Sequence, residues 1–178
     1  GFLWQELPLP DAIRAAKAAG FAGVECHWPY DVPAAEVKAA LLETGLPMLG
    51  LNTRKGPTGQ NGLSALPGHR AAAFAAVDEA LAYAGAVDAG AVHVMAGFAE
   101  GPEAEAAFVE TLGYACAQTD RTILIEPLNR YDAPGYFLQT TGQAEAIIAK
   151  VGAKNLKLMF DCYHVQLMEG DVTHRLDR

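Results

Sequence analysis

The sequence predicts an α/β fold built around a parallel sheet, on three observations. A unit of helix, glycine and apolar strand recurs about five times at a spacing of roughly 30 residues, which is typical of βα repeats. Two apolar stretches, residues 122–126 and 156–161, run directly into a carboxylate, as buried parallel strands do at a ligand-binding edge. Long loops follow the strands over residues 53–67 and 127–140. A doubly wound sheet and a (β/α)₈ barrel both fit this pattern.

Helices and strands alternate along the chain in this interpretation. The predicted helices cover residues 11–19, 33–44, 68–88, 102–118 and 141–151, and a further helix begins near residue 171. The predicted strands cover residues 1–4 (the end of a first strand), 22–26, 47–52, 91–95, 122–126 and 156–161. The helix over 33–44 rests on residues at the i, i+3, i+4 and i+7 positions of one face: Val37, Ala40, Leu41 and Thr44. Glycines end four of the helices: Gly20, Gly45, Gly90 and Gly152.

Six strands are fewer than a closed barrel requires. Such a barrel has eight strands and typically about 250 residues, whereas this chain has 178. An open arc of six strands would leave two unpaired edges. If the fold is a barrel, we therefore expect a single domain over residues 1–178 that is incomplete at its C-terminal end, with the last two strands missing.

The composition is that of a globular chain and argues against several classes of partner. Hydrophobic residues make up 51% and charged residues 19%, and 178 residues can bury a substantial core. The net charge of −8 disfavours nucleic acid or an anionic membrane as a partner, because both attract basic surfaces. No apolar run reaches the roughly 18 residues that span a bilayer.

The cysteines indicate the redox compartment of the protein, and the absence of nucleotide-binding motifs indicates which cofactors it lacks. Cys26, Cys116 and Cys162 are odd in number and show no CxxC spacing, so we expect buried thiols in a reducing, cytoplasmic compartment. Neither GxGxxG nor GxxxxGK followed by Ser or Thr occurs, so we expect no nucleotide cofactor. The oligomeric state stays open, and a homo-oligomer is one option.

Two carboxylates are the strongest candidates for a functional site. Glu126 and Asp161 each end an apolar strand, and the carboxyl ends of parallel strands are where such sheets bind ligands. If the two strands are neighbours, they lie about 4.8 Å apart and both acids can reach one hard divalent cation. Glu126 is then a general base, a metal ligand or both. The alternative is a buried acid paired with a nearby Arg or Lys.

Other polar residues surround these acids in sequence. His164 follows Asp161 by three residues and either lines the site or is structural. His93 lies inside a strand and faces the barrel interior, either as a hydrogen-bonded core residue or as a substrate contact. Asn129 and Asp132, on the loop after the first acid, either cap the next element or bind a hydroxyl group. An anionic substrate would need one of three loop cations: Arg54, Lys55 or Arg130.

Several motifs in a fixed order carry a family resemblance. They are Leu-Asn-Thr at 51–53, His-Val-Met-Ala-Gly at 93–97, Ile-Glu-Pro-Leu-Asn-Arg at 125–130, Pro-Gly-Tyr-Phe-Leu at 134–138 and Asp-Cys-Tyr-His-Val-Gln-Leu-Met-Glu-Gly-Asp at 161–171. In this combination the chain resembles the hydroxypyruvate isomerase family of xylose-isomerase-like barrels. The resemblance implies a (β/α)₈ TIM barrel and the isomerisation of hydroxypyruvate, a small hydroxy-oxo acid, to tartronate semialdehyde.

The resemblance also implies roles for single residues. A glutamate at the Glu126 position moves the proton and can bind a divalent metal, Mg²⁺ or Mn²⁺, together with an aspartate at the Asp161 position. In the related ketose epimerases, the positions of Asp132 and His164 contact the substrate, although the former is commonly glutamate there. Family barrels draw two further ligands and a second catalytic glutamate from the seventh and eighth strands, which this sequence does not contain.

Four alternatives remain beside a hydroxypyruvate isomerase. A 2-oxotetronate isomerase shares the same motifs, and a ketose 3-epimerase is next. A metal-dependent DNA-repair endonuclease of the same superfamily would need more histidine ligands and a basic face, which five histidines and a charge of −8 disfavour. A non-catalytic binding barrel would have no need of both Glu126 and Asp161 at strand ends.

Overall fold

The structure is a computed structural model that describes residues 3–177, and it consists of alternating strands and helices. The helices are Leu9–Ala18 (α1), Ala34–Thr44 (α2), Arg70–Val87 (α3), Gly101–Ala117 (α4), Thr141–Val151 (α5), Cys162–Met168 (α6) and Val172–Leu176 (α7). The strands are Val24–Cys26 (β1), Met48–Asn52 (β2), Ala91–His93 (β3), Thr122–Ile125 (β4) and Leu156–Leu158 (β5). No helix in the described part of the chain has the length and apolar character that crossing a membrane requires.

The five strands form one parallel sheet in the order β1-β2-β3-β4-β5. Because each strand lies beside the next one in sequence, the sheet has no point where the order reverses, as a doubly wound sheet has. The arrangement is that of an incomplete TIM barrel, and it decides between the two folds that the repeat pattern left open. The pairing of His93 with both Asn52 and Leu124 aligns the carboxyl ends of three neighbouring strands.

The main core lies between the sheet and the helices that cover its outer face. Phe108 of α4 and Ile123 of β4 are both fully buried in it. The long helix α3 presents alanines to this core, and Ala80 and Ala84 are completely buried. Small side chains let a helix approach the sheet closely, so the alanine-rich segment serves packing.

The loop after β2 is bound tightly to the end of β3. The amide of Ala65 donates to the Ala96 carbonyl at 2.7 Å, and Gly62 forms a backbone bridge with Ala96. Gly62 and Gly97 both have positive φ angles, 127° and 98°, and a Cβ atom on either would overlap the backbone of the other segment. Glycine is therefore required at both positions where these two segments of the chain cross. The crossing holds the loop over the carboxyl edge of the sheet.

The structure differs from the sequence-based expectation in two strands, the one expected at the start of the chain and β5. Leu3 and Trp4 are not in a strand, because Trp4 has a left-handed backbone with φ 53°, which extended chains do not adopt; Gly1 and Phe2 lie outside the described residues. The described part therefore has five strands and not six. The strand predicted to reach residue 161 ends at Leu158, because β5 is the edge of the sheet and pairs on one side only.

The helix that follows β5 begins earlier than the sequence suggested. We expected it near residue 171, but α6 starts at Cys162 because the carboxylate of Asp161 caps it. A second short helix, α7, then begins at Val172. Cys162 is exposed and not buried as expected, since it opens this helix beside the unpaired edge of β5.

Candidate functional site

The carboxyl edge of the sheet brings three candidate residues into one cluster. Glu126, Asp161 and His164 are all half-buried, and each offers a ligand atom within 4.8 Å of the others. The pairing of Ile125 with Leu158 accounts for this, because it makes β4 and β5 neighbours and sends both chains out at the same edge. Two carboxylates and one imidazole form a donor set that fits a single divalent cation.

Glu126 is a carboxyl group that is largely shielded from water. It directly follows the last residue of β4, and its side chain is only 14% exposed. Burial raises the pKa of Glu126 to about 7, and the negative charges of Asp161 and Glu25 contribute further. A carboxyl group with a pKa near neutrality can both take and return a proton, as a general base must.

His93 lies against Glu126 without bonding to it. The ring is buried in β3, and its Nδ1 atom is 3.7 Å from Oε2 of Glu126, which is too long for a hydrogen bond. Neither ring nitrogen has a hydrogen-bond partner within residues 3–177. Burial lowers the pKa of His93 to about 3, with a smaller effect from the charge of His27. The histidine is therefore neutral, and its direct contact with a substrate stays a prediction.

Asp161 is held by the helix that it caps. One of its oxygens, Oδ1, accepts hydrogen bonds from the amides of Tyr163 at 2.7 Å and His164 at 3.2 Å. The other oxygen, Oδ2, accepts none in the described part of the chain and remains for a cation. The cap also fixes the first turn of α6, which carries His164 toward Glu126.

Asn129 connects the loop after β4 to His164. Its Oδ1 atom accepts hydrogen bonds from the amides of Tyr131 and Asp132, both at 3.0 Å. Its Nδ2 atom donates to Oδ2 of Asp132 at 2.9 Å and lies 2.8 Å from Nδ1 of His164. The backbone amide of Asn129 donates to the same His164 nitrogen at 3.1 Å. Asn129 is 0% exposed, and its direct contact with a substrate stays a prediction.

Asp132 lies at the rim of the cluster. Its Oδ2 atom accepts from the Tyr163 hydroxyl at 2.7 Å as well as from Asn129. These two hydrogen bonds lower the pKa of Asp132, and the exposed carboxylate is charged near neutral pH. Tyr163 was not among the sequence-based candidates, although it stands between Asp161 and His164 in the motif at 161–171.

The three loop cations differ in what they contact. Arg54 forms an ion pair with Glu79, with 2.7 Å between Nε and Oε2, and Arg130 stacks on Tyr131. Lys55 forms no ion pair within residues 3–177; its Nζ atom lies over the Trp28 ring, 3.9 Å from the centroid.

Lys55 borders a cavity at the carboxyl edge of the sheet. The cavity, of about 720 Å³, lies at the carboxyl end of β1, and His27 also lines it. Burial lowers the pKa of His27, and the charge of Lys55 contributes. The charge of His27 also contributes to the lowered pKa of His93, the neighbour of Glu126.

Comparisons with known proteins match nearly the whole chain. The family model described as "Xylose isomerase-like TIM barrel" matches residues 13–177. The chain is 41% identical to the 2-oxo-tetronate isomerase of Cupriavidus necator, over 99% of this chain and 71% of the relative. It is 36% identical to the hydroxypyruvate isomerase of Escherichia coli, over 92% of this chain and 67% of the relative. A crystal structure of an AP endonuclease, family 2, from Brucella melitensis superposes with a TM-score of 0.93 at 34% identity, over 98% of this chain and 70% of that one.

Proposed function

This chain belongs to the xylose isomerase-like TIM barrel family, and we propose that it is an isomerase of a small hydroxy-oxo acid. The reaction is the interconversion of hydroxypyruvate and tartronate semialdehyde. The observation that carries the proposal is the half-buried carboxyl group of Glu126, with a pKa of about 7, beside the carboxylate of Asp161 and the imidazole of His164. A general base with this pKa suits proton transfer at carbon near neutral pH.

A second substrate is favoured by a specific observation. The relative at 41% identity is named for 2-oxotetronate, an acid one carbon longer than hydroxypyruvate. The two acids share the reacting atoms. Only the depth of the substrate pocket beyond those atoms would distinguish an enzyme for one acid from an enzyme for the other. A 2-oxotetronate isomerase is therefore the alternative form of the same proposal.

The proposed chemistry uses Glu126 as the proton carrier. Hydroxypyruvate has a carbonyl at C2 beside a CH₂OH group at C3. The carboxylate removes a proton from C3, the electron pair left behind forms a C2–C3 double bond, and the π pair of the C2 carbonyl moves onto its oxygen, giving an enediolate. A proton then moves from the C3 oxygen to the C2 oxygen, and Glu126 returns its proton to C2. The product has an aldehyde at C3 and an alcohol at C2, so no electrons leave the substrate.

The neighbouring residues have supporting roles in this scheme. Asp161 and Glu126 would hold the divalent cation, which we propose is Mg²⁺ or Mn²⁺ because carboxylate oxygens suit hard ions. The bound ion would stabilise negative charge on the substrate oxygens. His164 and Asp132 contact the substrate. His93 contributes by keeping water from one side of Glu126, which maintains the high pKa of that carboxyl group.

Lys55 is the proposed anchor for the substrate carboxylate. Like Arg130, it has no carboxylate partner among residues 3–177, and of the three loop cations it is the one that lines the cavity, where the aromatic face of Trp28 holds its ammonium group. An ammonium group held in this way can bind an anion at the edge of the site. Arg54 and Arg130 are engaged with Glu79 and Tyr131.

A nuclease role is a weaker proposal despite the Brucella structure. The net charge of −8 opposes binding to the phosphate backbone of DNA, and only one histidine joins the carboxylates in the described cluster. Nuclease sites with several zinc ions need more nitrogen ligands than this. The small-molecule proposal therefore stands ahead of it, while the cytoplasmic location and a homo-oligomer stay predictions.

Turnover of both acids by the intact protein tests the proposal. We expect isomerisation of one or both with Mn²⁺ or Mg²⁺ present, a large loss with a chelator, and a loss of more than about 10²-fold in Glu126→Gln. The matched control is Glu103→Gln, which removes an exposed carboxylate in the first turn of α4 that is not a member of the cluster. If the metal-replete protein converts neither acid, the isomerase proposal is wrong.

A further inference from the structure

We propose that Asn129 is a positioning residue that holds His164 in its Nε2–H tautomer. His164 then serves as a hydrogen-bond donor toward the substrate and leaves cation binding to Glu126 and Asp161. The part of this inference that concerns the substrate rests on the proposed function. The tautomer itself follows from the hydrogen bonds of the protein alone.

The orientation of the Asn129 amide is determined by the backbone around it. Two amides, of Tyr131 and Asp132, point at its Oδ1 atom from 3.0 Å, and backbone N–H groups can only donate. Turning the amide over would place Nδ2 against these two donors. It would also place Oδ1 against the Asp132 carboxylate, which now accepts from Nδ2 at 2.9 Å. The Nδ2 atom must therefore be the group that faces His164.

Two donors consequently converge on one nitrogen of His164. The Nδ2 group of Asn129 lies 2.8 Å from Nδ1, and the backbone amide of Asn129 lies 3.1 Å from the same atom. Only a nitrogen with a lone pair can accept from them, so Nδ1 carries no proton. In a neutral imidazole the proton is then on Nε2. A histidine that binds a metal through Nε2 shows the reverse arrangement, since its other nitrogen usually donates to a carboxylate or a carbonyl.

The burial of Asn129 explains why such an arrangement can persist. Its side chain is 0% exposed, and all four of its hydrogen-bonding positions are used within the protein. Without water as a competing partner, the amide cannot turn over without leaving several groups unpaired. The same burial keeps Asn129 from touching a substrate, so its effect on the reaction has to pass through His164.

The direct test is the ¹⁵N NMR spectrum of the histidine side chains in intact, metal-free protein at a pH where His164 is neutral. His164→Gln identifies the His164 signals by their absence. We expect an unprotonated Nδ1 and a protonated Nε2. A protonated Nδ1 in the wild-type protein overturns the proposal. No substrate is needed, so this outcome is independent of whether hydroxypyruvate or 2-oxotetronate is converted.

Asn129→Asp is the variant that should reverse the tautomer. A carboxylate at this position can only accept, so it favours a proton on Nδ1 of His164 and frees the lone pair of Nε2. We expect the ¹⁵N spectrum to show this reversal and Mn²⁺ affinity, measured by calorimetry, to rise by about tenfold. We also expect kcat to fall by roughly 10²-fold with a smaller change in KM, because a donor to the developing oxyanion is lost. An unchanged tautomer in the variant would show that the backbone amide of residue 129, which the substitution leaves in place, sets the tautomer alone, and the positioning role of the Asn129 side chain would then be wrong.

The Asp132 carboxylate requires a control, because Asn129→Asp places two negative groups together. In the double variant Asn129→Asp with Asp132→Asn, this repulsion is absent but the tautomer stays reversed. The fall in kcat relative to Asp132→Asn alone should therefore match the fall caused by Asn129→Asp in the wild-type background. If the fall disappears in the Asp132→Asn background, charge repulsion was its cause and Asn129 has no positioning role. Should Asn129→Asp fail to fold, the wild-type spectrum still decides the tautomer.

Discussion

The Nδ1 atom of His93 lies 3.7 Å from the Oε2 atom of Glu126, and the two groups do not form an ion pair. Burial acts on them in opposite directions. It lowers the pKa of His93 to about 3 and raises the pKa of Glu126 to about 7. Between these values both side chains are uncharged in the metal-free protein, as desolvation favours the neutral form of each. The site therefore contains a neutral base next to an acid that ionises near neutral pH.

The first prediction concerns the stability that the protein loses at acid pH because His93 is buried in its neutral form. Its folded pKa, about 3, is below the unfolded value of 6.5, so its neutral form is favoured by folding and stability is lost as pH falls through this range. His93→Leu removes the titrating group at similar volume. We expect the unfolding free energy of the variant, relative to wild type, to improve by about 3 kcal/mol from pH 7 to pH 4.5.

Urea unfolding at the two pH values measures this change. His69→Gln is the matched control, because it removes an exposed histidine in place of a buried one. A constant difference between His93→Leu and wild type at both pH values would mean that His93 titrates normally in the folded protein.

The second prediction has the opposite sign and concerns Glu126. Its folded pKa, about 7, is above the ordinary value of 4.5, so the folded state binds more protons between these values and stability is lost as pH rises through them. Glu126→Gln lacks this loss. We expect the metal-free variant to gain about 3 kcal/mol of unfolding free energy over wild type between pH 4.5 and pH 8. Denaturant unfolding with a chelator measures it, with Glu103→Gln as the control.

Added Mn²⁺ makes this prediction more specific. The ion should stabilise wild type at pH 8, because it binds the folded state through Glu126 and Asp161, and should stabilise Glu126→Gln much less. Equal stabilisation of both proteins by Mn²⁺ would place the cation elsewhere. A difference in unfolding free energy between Glu126→Gln and wild type that stays the same from pH 4.5 to pH 8 would show that burial does not raise the pKa of this carboxyl group.

The two strand-end acids could be predicted from the sequence because a simple rule connects them. An apolar strand that ends in a carboxylate puts that group at the carboxyl edge of a parallel sheet, and neighbouring strands bring two such groups together. The inward direction of His93 followed in the same way from the alternation of side chains along a strand. Both arguments need only local pattern and strand order.

The remaining features depend on contacts that no local pattern contains. The hydrogen bonds between Asn129 and His164 join residues 35 positions apart, and they arise from the way one loop folds over α6. The start of α6 at Cys162 depends on a side-chain cap from Asp161. The apolar stretch before Asp161 led us to interpret this residue as the end of a strand and not as a helix cap. The early end of β5 reflects its place at the edge of the sheet, which the residues of that strand do not encode.

The last prediction concerns the substrate carboxylate and Lys55. Lys55→Met removes the ammonium group but keeps a long side chain that can still pack on Trp28. If Lys55 binds the carboxylate, the variant should raise KM by roughly tenfold while kcat changes little, because the contact is the same in ground state and transition state. Steady-state kinetics with hydroxypyruvate and 2-oxotetronate measure both constants. Lys154→Met, at the opposite edge of the sheet, is the matched control. This comparison is made at low ionic strength, where an ammonium–carboxylate contact is strongest. If Lys55→Met and the control have the same KM, Lys55 does not bind the substrate carboxylate and another cation does.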